Sequence, residues 1–158
     1  MTSVYTIGHS NHTIERLLAL LRQHDIAVLA DVRSTAFSRY NPQFNAGPLQ
    51  ASLAAAGIRY ERFQALGGKP DDADLLQADG TPDYDRIEAT PGFRQALLRL
   101  MEIAATARVA IMCSEADPNA CHRERLIAPA LRRAGVEVRH ILADGSLAKP
   151  PDQGAFDF

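Results

Sequence analysis

Cys113, Glu115, Cys121, His122 and Arg123 lie within one short stretch. Two thiols, a carboxylate, an imidazole and a guanidinium at that spacing can supply a nucleophile, an acid–base group or an anion clamp. Glu115, just past an apolar run, is placed for acid–base work or for holding a ribose hydroxyl or base, and its bland role is a cap or salt bridge. Cys113 closes the run and is either a core thiol or a catalytic one. If a helix opens at Asp117-Pro118, its turn of ~100° per residue sets Arg123 on the azimuth of Ile127, Ala130 and Ala134. Arg123 then either grips an anion or forms an ion pair with Asp31 or Glu115. The same geometry turns Cys121 ~160° away from Arg123 and off the buried stripe.

Other chemistry-bearing residues follow other apolar runs. His9, Ser10 and Asn11 follow the first, and His9 is a candidate acid–base or ligand-contacting residue. Asp31 and Arg33 close the second. His9, Cys113, Cys121 and His122 could offer four soft ligands, but Cys-x7-Cys and the adjacent Cys-His match no common zinc spacing. No metal and no cofactor are expected.

The elements that position these groups alternate. Strands are expected over residues 3–7, 26–30, 58–63, 108–112 and 136–141. Helices are expected over 13–24 and 48–56, from Thr90-Pro91 onward, and from 118 to about 134, the last kinked by Pro129. Residues 34–45 form a long loop. Residues 64–89 form an irregular excursion with a short helix at 72–77, readable as a lid or as a surface insertion. The alternation predicts one α/β domain over 1–142: a three-layer, Rossmann-like fold whose mostly parallel five-stranded sheet has helices on both faces. Residues 143–158 read as an extended or poorly ordered tail. Ligands of such sheets bind outside the carboxyl ends of the strands, where His9, Ser10, Asn11, Asp31, Arg33, Cys113 and Glu115 all fall.

Composition narrows the function classes. The 158 residues are 46% apolar and 23% charged, as in ordinary globular domains. A net charge of -2 gives no footprint for bulk nucleic-acid binding, although a local basic cleft is compatible with it. Nearly all the cations are Arg, with Lys69 and Lys149 the lysines. No apolar stretch approaches the ~20 residues of a membrane span, and no signal peptide is evident. A cytoplasmic, reducing location is expected, with the cysteines as free thiols or a transient redox pair. Oligomeric state is left open.

Asp31-Val32-Arg33 resembles the strand end of rhodanese-like domains, which also open a loop with a Cys as Cys113 does. The loop here is longer and holds Glu115 and Pro118. A broader resemblance is carried by residues 5–11, by Asp31-Val32-Arg33-Ser34, by 38–44, by Leu66-Gly67-Gly68 and by Cys113-x7-Cys121-His122-Arg123. Together, over residues 4–141, they resemble the bacterial and archaeal family called domain of unknown function 488. The resemblance implies a small α/β fold and no assigned reaction. It adds Arg39, Asn41 and Phe44 to a ligand-binding set that includes Cys121, His122 and Arg123, a polar and aromatic group suited to a nucleotide or sugar-phosphate. Two functions are expected as alternatives. One is an enzyme on a small anionic or nucleotide-like ligand, with Arg33, Arg39 and Arg123 holding the anion, Glu115 or His9 as acid or base, and Phe44 stacking. The other is a non-catalytic module binding a nucleotide, nucleic acid or protein. Rhodanese- or phosphatase-like cysteine chemistry is a third.

Overall fold

Two short apolar strands carry the architecture. β2 (Val28–Asp31) and β4 (Val109–Cys113) are buried at every position, as expected of strands covered on both faces. They pair in parallel, Val28 opposite Val109 and Asp31 opposite Met112. In this computed structural model, which describes residues 2–148, β1 (Ser3–Gly8) lies on the far side of β4. The edges are β3 (Arg59–Arg62) beside β2 and β5 (Glu137–His140) beside β1. The order β3-β2-β4-β1-β5 is parallel throughout.

Alternation along the strands divides the core. Ala110 and Met112 join Leu29, Ile7 and the apolar stripe of α1 (Ile14–Gln23) and α2 (Ala46–Ala55). Val109, Ile111 and Cys113 face the other way, toward α3 (Tyr84–Glu88), α4 (Pro91–Thr106) and α5 (Ala128–Arg133). Caps set the helix starts: Thr13 accepts from the Arg16 N–H and Thr90 from the Phe93 N–H. Gly57, at φ 75°, stops α2, and Gly135, at φ 84°, stops α5.

Three expectations change. The helix foreseen from 118 to 134 is broken into a 3-10 turn (Pro118–Ala120), a π-helical turn (Arg123–Ile127) and α5. Pro129 lacks the N–H that would bond the carbonyl four residues earlier, and its ring crowds that carbonyl. Widening the preceding turn absorbs both faults. The helix foreseen at 72–77 shrinks to a 3-10 turn (Ala73–Leu75), while α3, capped by Asp83, was not foreseen. Residues 143–148 fold back through an Ile141–Leu147 bridge, and the rest of the expected tail, 149–158, lies outside the described residues. Among the described residues no helix is long and apolar enough to cross a membrane.

The topology leaves one crevice. From β2 the chain exits toward β3, whereas from β4 it exits the opposite way, over β1 to β5. Adjacent strands with diverging exits open a gap at their carboxyl ends.

Candidate functional site

That gap is occupied by a cleft of about 830 Å³, a volume suited to a small molecule. Cys113, Cys121, His122, Glu115 and Arg33 line it from the β2 and β4 ends. The 64–89 excursion supplies the facing wall, including Gly68, Lys69, Asp71 and Tyr84, and exposed Phe37 stands at the rim. Lys69, Phe37 and Tyr84 were not singled out by the sequence. The paired Gly67 and Gly68 were the available signal. A Cβ on Gly68 would stand 2.5 Å from the His122 Cβ, so glycine is what lets the imidazole seat there.

Cys121 is the chemically distinctive group. It lies in extended backbone (φ −132°, ψ 151°) between the 3-10 turn and the π-helical turn, not inside a helix. The helical azimuth assigned to it therefore does not apply, and its side chain is buried at the cleft floor. The Arg123 N–H donates to its sulfur, and the His122 Nδ1 lies against it, each at 3.5 Å. His122 is fixed from behind, its Nε2 lying 3.1 Å from the Val32 carbonyl oxygen, which accepts. The neighbouring Cys113 thiol outweighs the burial that opposes ionisation. Together with His122 and the Arg123 N–H, it brings the Cys121 pKa down to about 4. Cys113 moves the opposite way: the anionic Cys121 beside it, in a buried place, holds it protonated. The Cys113 thiol also lies 3.5 Å from the Glu115 carbonyl oxygen.

Arg123 is fully buried, and among the described residues it pairs with no carboxylate. Its Nη2 donates to the carbonyls of Glu115 (3.0 Å) and Ala116 (2.5 Å), and it does not line the cleft. It ties down the loop that leaves β4 past Cys113. Gly8 packs against the outside of that loop, with room for no Cβ, since one would stand 2.9 Å from the Ala116 Cα. Glu115 is exposed and lines the cleft.

The second cluster falls on the opposite face of the sheet, because Asp31 and Cys113 point to opposite faces. Arg33 forks onto Asp31, Nε to Oδ1 at 2.9 Å and Nη2 to Oδ2 at 2.7 Å, and also donates to the Phe44 carbonyl. Tyr60 gives its hydroxyl proton to Asp31 Oδ2 at 2.7 Å. Burial opposes the Asp31 charge, yet the Arg33 and Tyr60 hydrogen bonds hold its pKa below the usual carboxylate range. The same burial and bond push Tyr60 upward. Phe44, expected to stack on a ligand, is fully buried and stacked by His9, ring centroids 4.6 Å apart. Arg39 is exposed and Asn41 partly so, both away from the cleft lining. Ser10 and Asn11 hydrogen-bond to one another (3.4 Å) outside it.

His9 is buried and neutral in character. Its Nδ1–H donates to the Ser10 carbonyl at 2.8 Å, leaving Nε2 without a partner among the described residues. Burial lowers its pKa, and Arg33 adds to that. His140 is lowered by burial too, although its Nε2–H donates to Glu124 at 2.5 Å and Thr6 donates to its Nδ1 at 2.6 Å. Both folded values lie below the unfolded ~6.5, so the unfolded chain binds more protons in the interval between them. Stability contributed by the neutral rings is complete above ~6.5 and declines as pH falls toward the folded values. The urea midpoint is expected to drop between pH 7.5 and pH 5.5, with a shallower drop in His9→Phe, which keeps the ring stack on Phe44. A wild-type midpoint that is flat over this range would contradict the assignment.

Among the described residues no three His, Cys, Asp or Glu side chains gather into a metal-holding group. Neither the curated proteins nor the solved structures contain a match to this chain. The family model described as domain of unknown function DUF488 matches residues 13–129, and the chain belongs to that family.

Proposed function

We propose that the chain is a cysteine-dependent enzyme in which Cys121 attacks a small electrophilic ligand held in the cleft between β2 and β4. The observation that carries this reading is the Cys121 sulfur at the floor of a small-molecule-sized cleft, taking the Arg123 N–H and lying against a backbone-anchored imidazole, surroundings that lower its pKa to about 4. His122 delivers a proton to the leaving group, and Lys69, Tyr84 and Phe37 supply the opposite wall. An anion clamp of three arginines has less support. Arg33 is bonded to Asp31, Arg123 to two carbonyls, and Arg39 stands apart from the cleft. Asp71 and Glu115 at the cleft also disfavour a polyphosphate or a nucleic-acid backbone. A reducing, cytoplasmic setting suits the chemistry, since both thiols would stay free there.

Haloacetamide labelling followed by peptide mapping tests the reading. Cys121 is expected to be the labelled residue, with half-maximal rate far below the ~8.5 of an ordinary thiol. His122→Asn removes one stabilising partner, and Gly68→Ala pushes the ring from its seat. Either variant should move the labelling midpoint upward with little change in folding. If both cysteines titrate as ordinary thiols, Cys121 is not an activated nucleophile.

A further inference from the structure

Cys113 stands beside the nucleophile at the same cleft and favours its thiolate, but the Cys113 sulfur forms no bond in a single attack by Cys121. It is buried at the last position of a central strand, where any small apolar residue would pack as well. Its thiol donates to the Glu115 carbonyl, 3.5 Å away, and Cys121 is the neighbour that acts on it most strongly. The carbonyl is itself held by Arg123, so the second thiol sits in a built position. Resting on the reading of Cys121 as the nucleophile, we propose that Cys113 is the resolving thiol of a dithiol–disulfide couple, and that the substrates are small disulfides.

The chemistry balances without an outside oxidant. The Cys121 thiolate attacks one sulfur of R–S–S–R′, its S–S bond breaks, and R′S⁻ leaves with a proton from His122. Cys121 now carries a mixed disulfide. Cys113 then gives its proton to His122, attacks the Cys121 sulfur, and expels RS⁻, which takes that proton. The substrate disulfide is reduced by two electrons to two thiols, and the protein dithiol is oxidised by two electrons to a Cys113–Cys121 disulfide. A small cellular thiol, two molecules per cycle, reduces the protein again.

The order of events is set by charge. While Cys121 is a thiolate, its negative charge, in a buried place, keeps Cys113 protonated. Formation of the mixed disulfide removes that charge. Arg123, whose charge favours the Cys113 thiolate, stays in place. The second thiol is thus inert until the first has reacted.

Oxidised glutathione with the reduced full chain at pH 6, read by intact mass and peptide mapping, tests this. Wild type should lose two hydrogens, show Cys113 linked to Cys121, and release two equivalents of glutathione per chain. Cys113→Ser, or Cys113→Ala assayed at about pH 9 so that Cys121 ionises without help from its neighbour, should stop at the Cys121 adduct with one equivalent released. A wild-type reaction that also stops at the adduct would overturn the role of Cys113. Haloacetamide labelling of Cys121 without any reaction toward oxidised glutathione would overturn the disulfide substrate class while leaving the nucleophile intact. Failure of both reagents would remove the nucleophile itself.

Discussion

Asp31→Asn is expected to destabilise the fold by about 3–5 kcal/mol, the range for removing one partner of a buried ion pair. Asn keeps the size of the side chain but leaves the Arg33 guanidinium, 3% exposed, without its counter-charge. Arg33 Nη1 already lacks a partner among the described residues, so no spare acceptor is in reach. Tyr60 loses a charged acceptor for its hydroxyl, and the nearby Arg62 loses a weaker attraction at 3.9 Å. For a chain of this size the melting temperature should fall by about 6–20 °C. The double variant Asp31→Asn/Arg33→Met should recover part of the loss, since the stranded charge goes too. The pH dependence carries the sign. The folded Asp31 pKa is depressed, so its contribution is complete above the unfolded value of ~3.9 and is lost as pH falls through the folded value. Wild type and Asp31→Asn should therefore differ by a constant amount from pH 7 to pH 5 and converge in stronger acid. A loss below about 1 kcal/mol at pH 7 would mean the pair is solvated.

This pair also shows how far a sequence of this kind can be read. Period announced the five strands, β1, β2 and β4 as short apolar runs and β3 and β5 as segments in which apolar and polar residues alternate. Parallel pairing followed from the intervening helices, and parallel pairing alone brings Asp31, Cys113 and Gly8 to one edge. The face each side chain takes was harder to see. Asp31 and Cys113 close neighbouring strands, yet they project to opposite faces, and a one-residue difference in where a strand ends decides that. The residues expected to form one crevice consequently separate into a cleft around Cys121 and an ionic cluster around Asp31.

Cys121 was misplaced for a local reason. Asp117 and Pro118 are good helix-start residues, and they do start a helix, but only a 3-10 turn (Pro118–Ala120). Extending a regular helix from there placed Cys121 on its far side. The π-helical turn forced by Pro129 further shifts the azimuths that follow. The 64–89 wall had no period to read, since Ile87 is the one buried residue of α3 and long-range packing does the rest. Gly67 and Gly68 carried information of another kind. They reported a close approach without naming the partner, which is His122 for Gly68.

Arg123→Met is expected to cost about 2–4 kcal/mol and to loosen the 114–120 loop. Two effects compete. The guanidinium gives hydrogen bonds to the Glu115 and Ala116 carbonyls, and bonds from a charged donor contribute about 1.5–3 kcal/mol each. Against this, its Nε and Nη1 are buried without partners among the described residues, a cost that Met removes. The bonds win because Met fills the volume but leaves the Ala116 carbonyl without that donor and the Glu115 carbonyl with only the weak Cys113 thiol, at the end of a central strand. Once released, the loop no longer fixes the Glu115 carbonyl against Cys113 or the backbone N–H against Cys121. Chemical denaturation should show the loss of stability, and limited proteolysis should show cleavage within residues 114–120 that wild type resists. Arg123→Lys, which keeps a charge but offers a single donor group, should fall between the two. If Arg123→Met is as stable and as protease-resistant as wild type, the loop is held by Gly8 and the β1 end alone. The buried guanidinium would then have to be explained by something outside the fold.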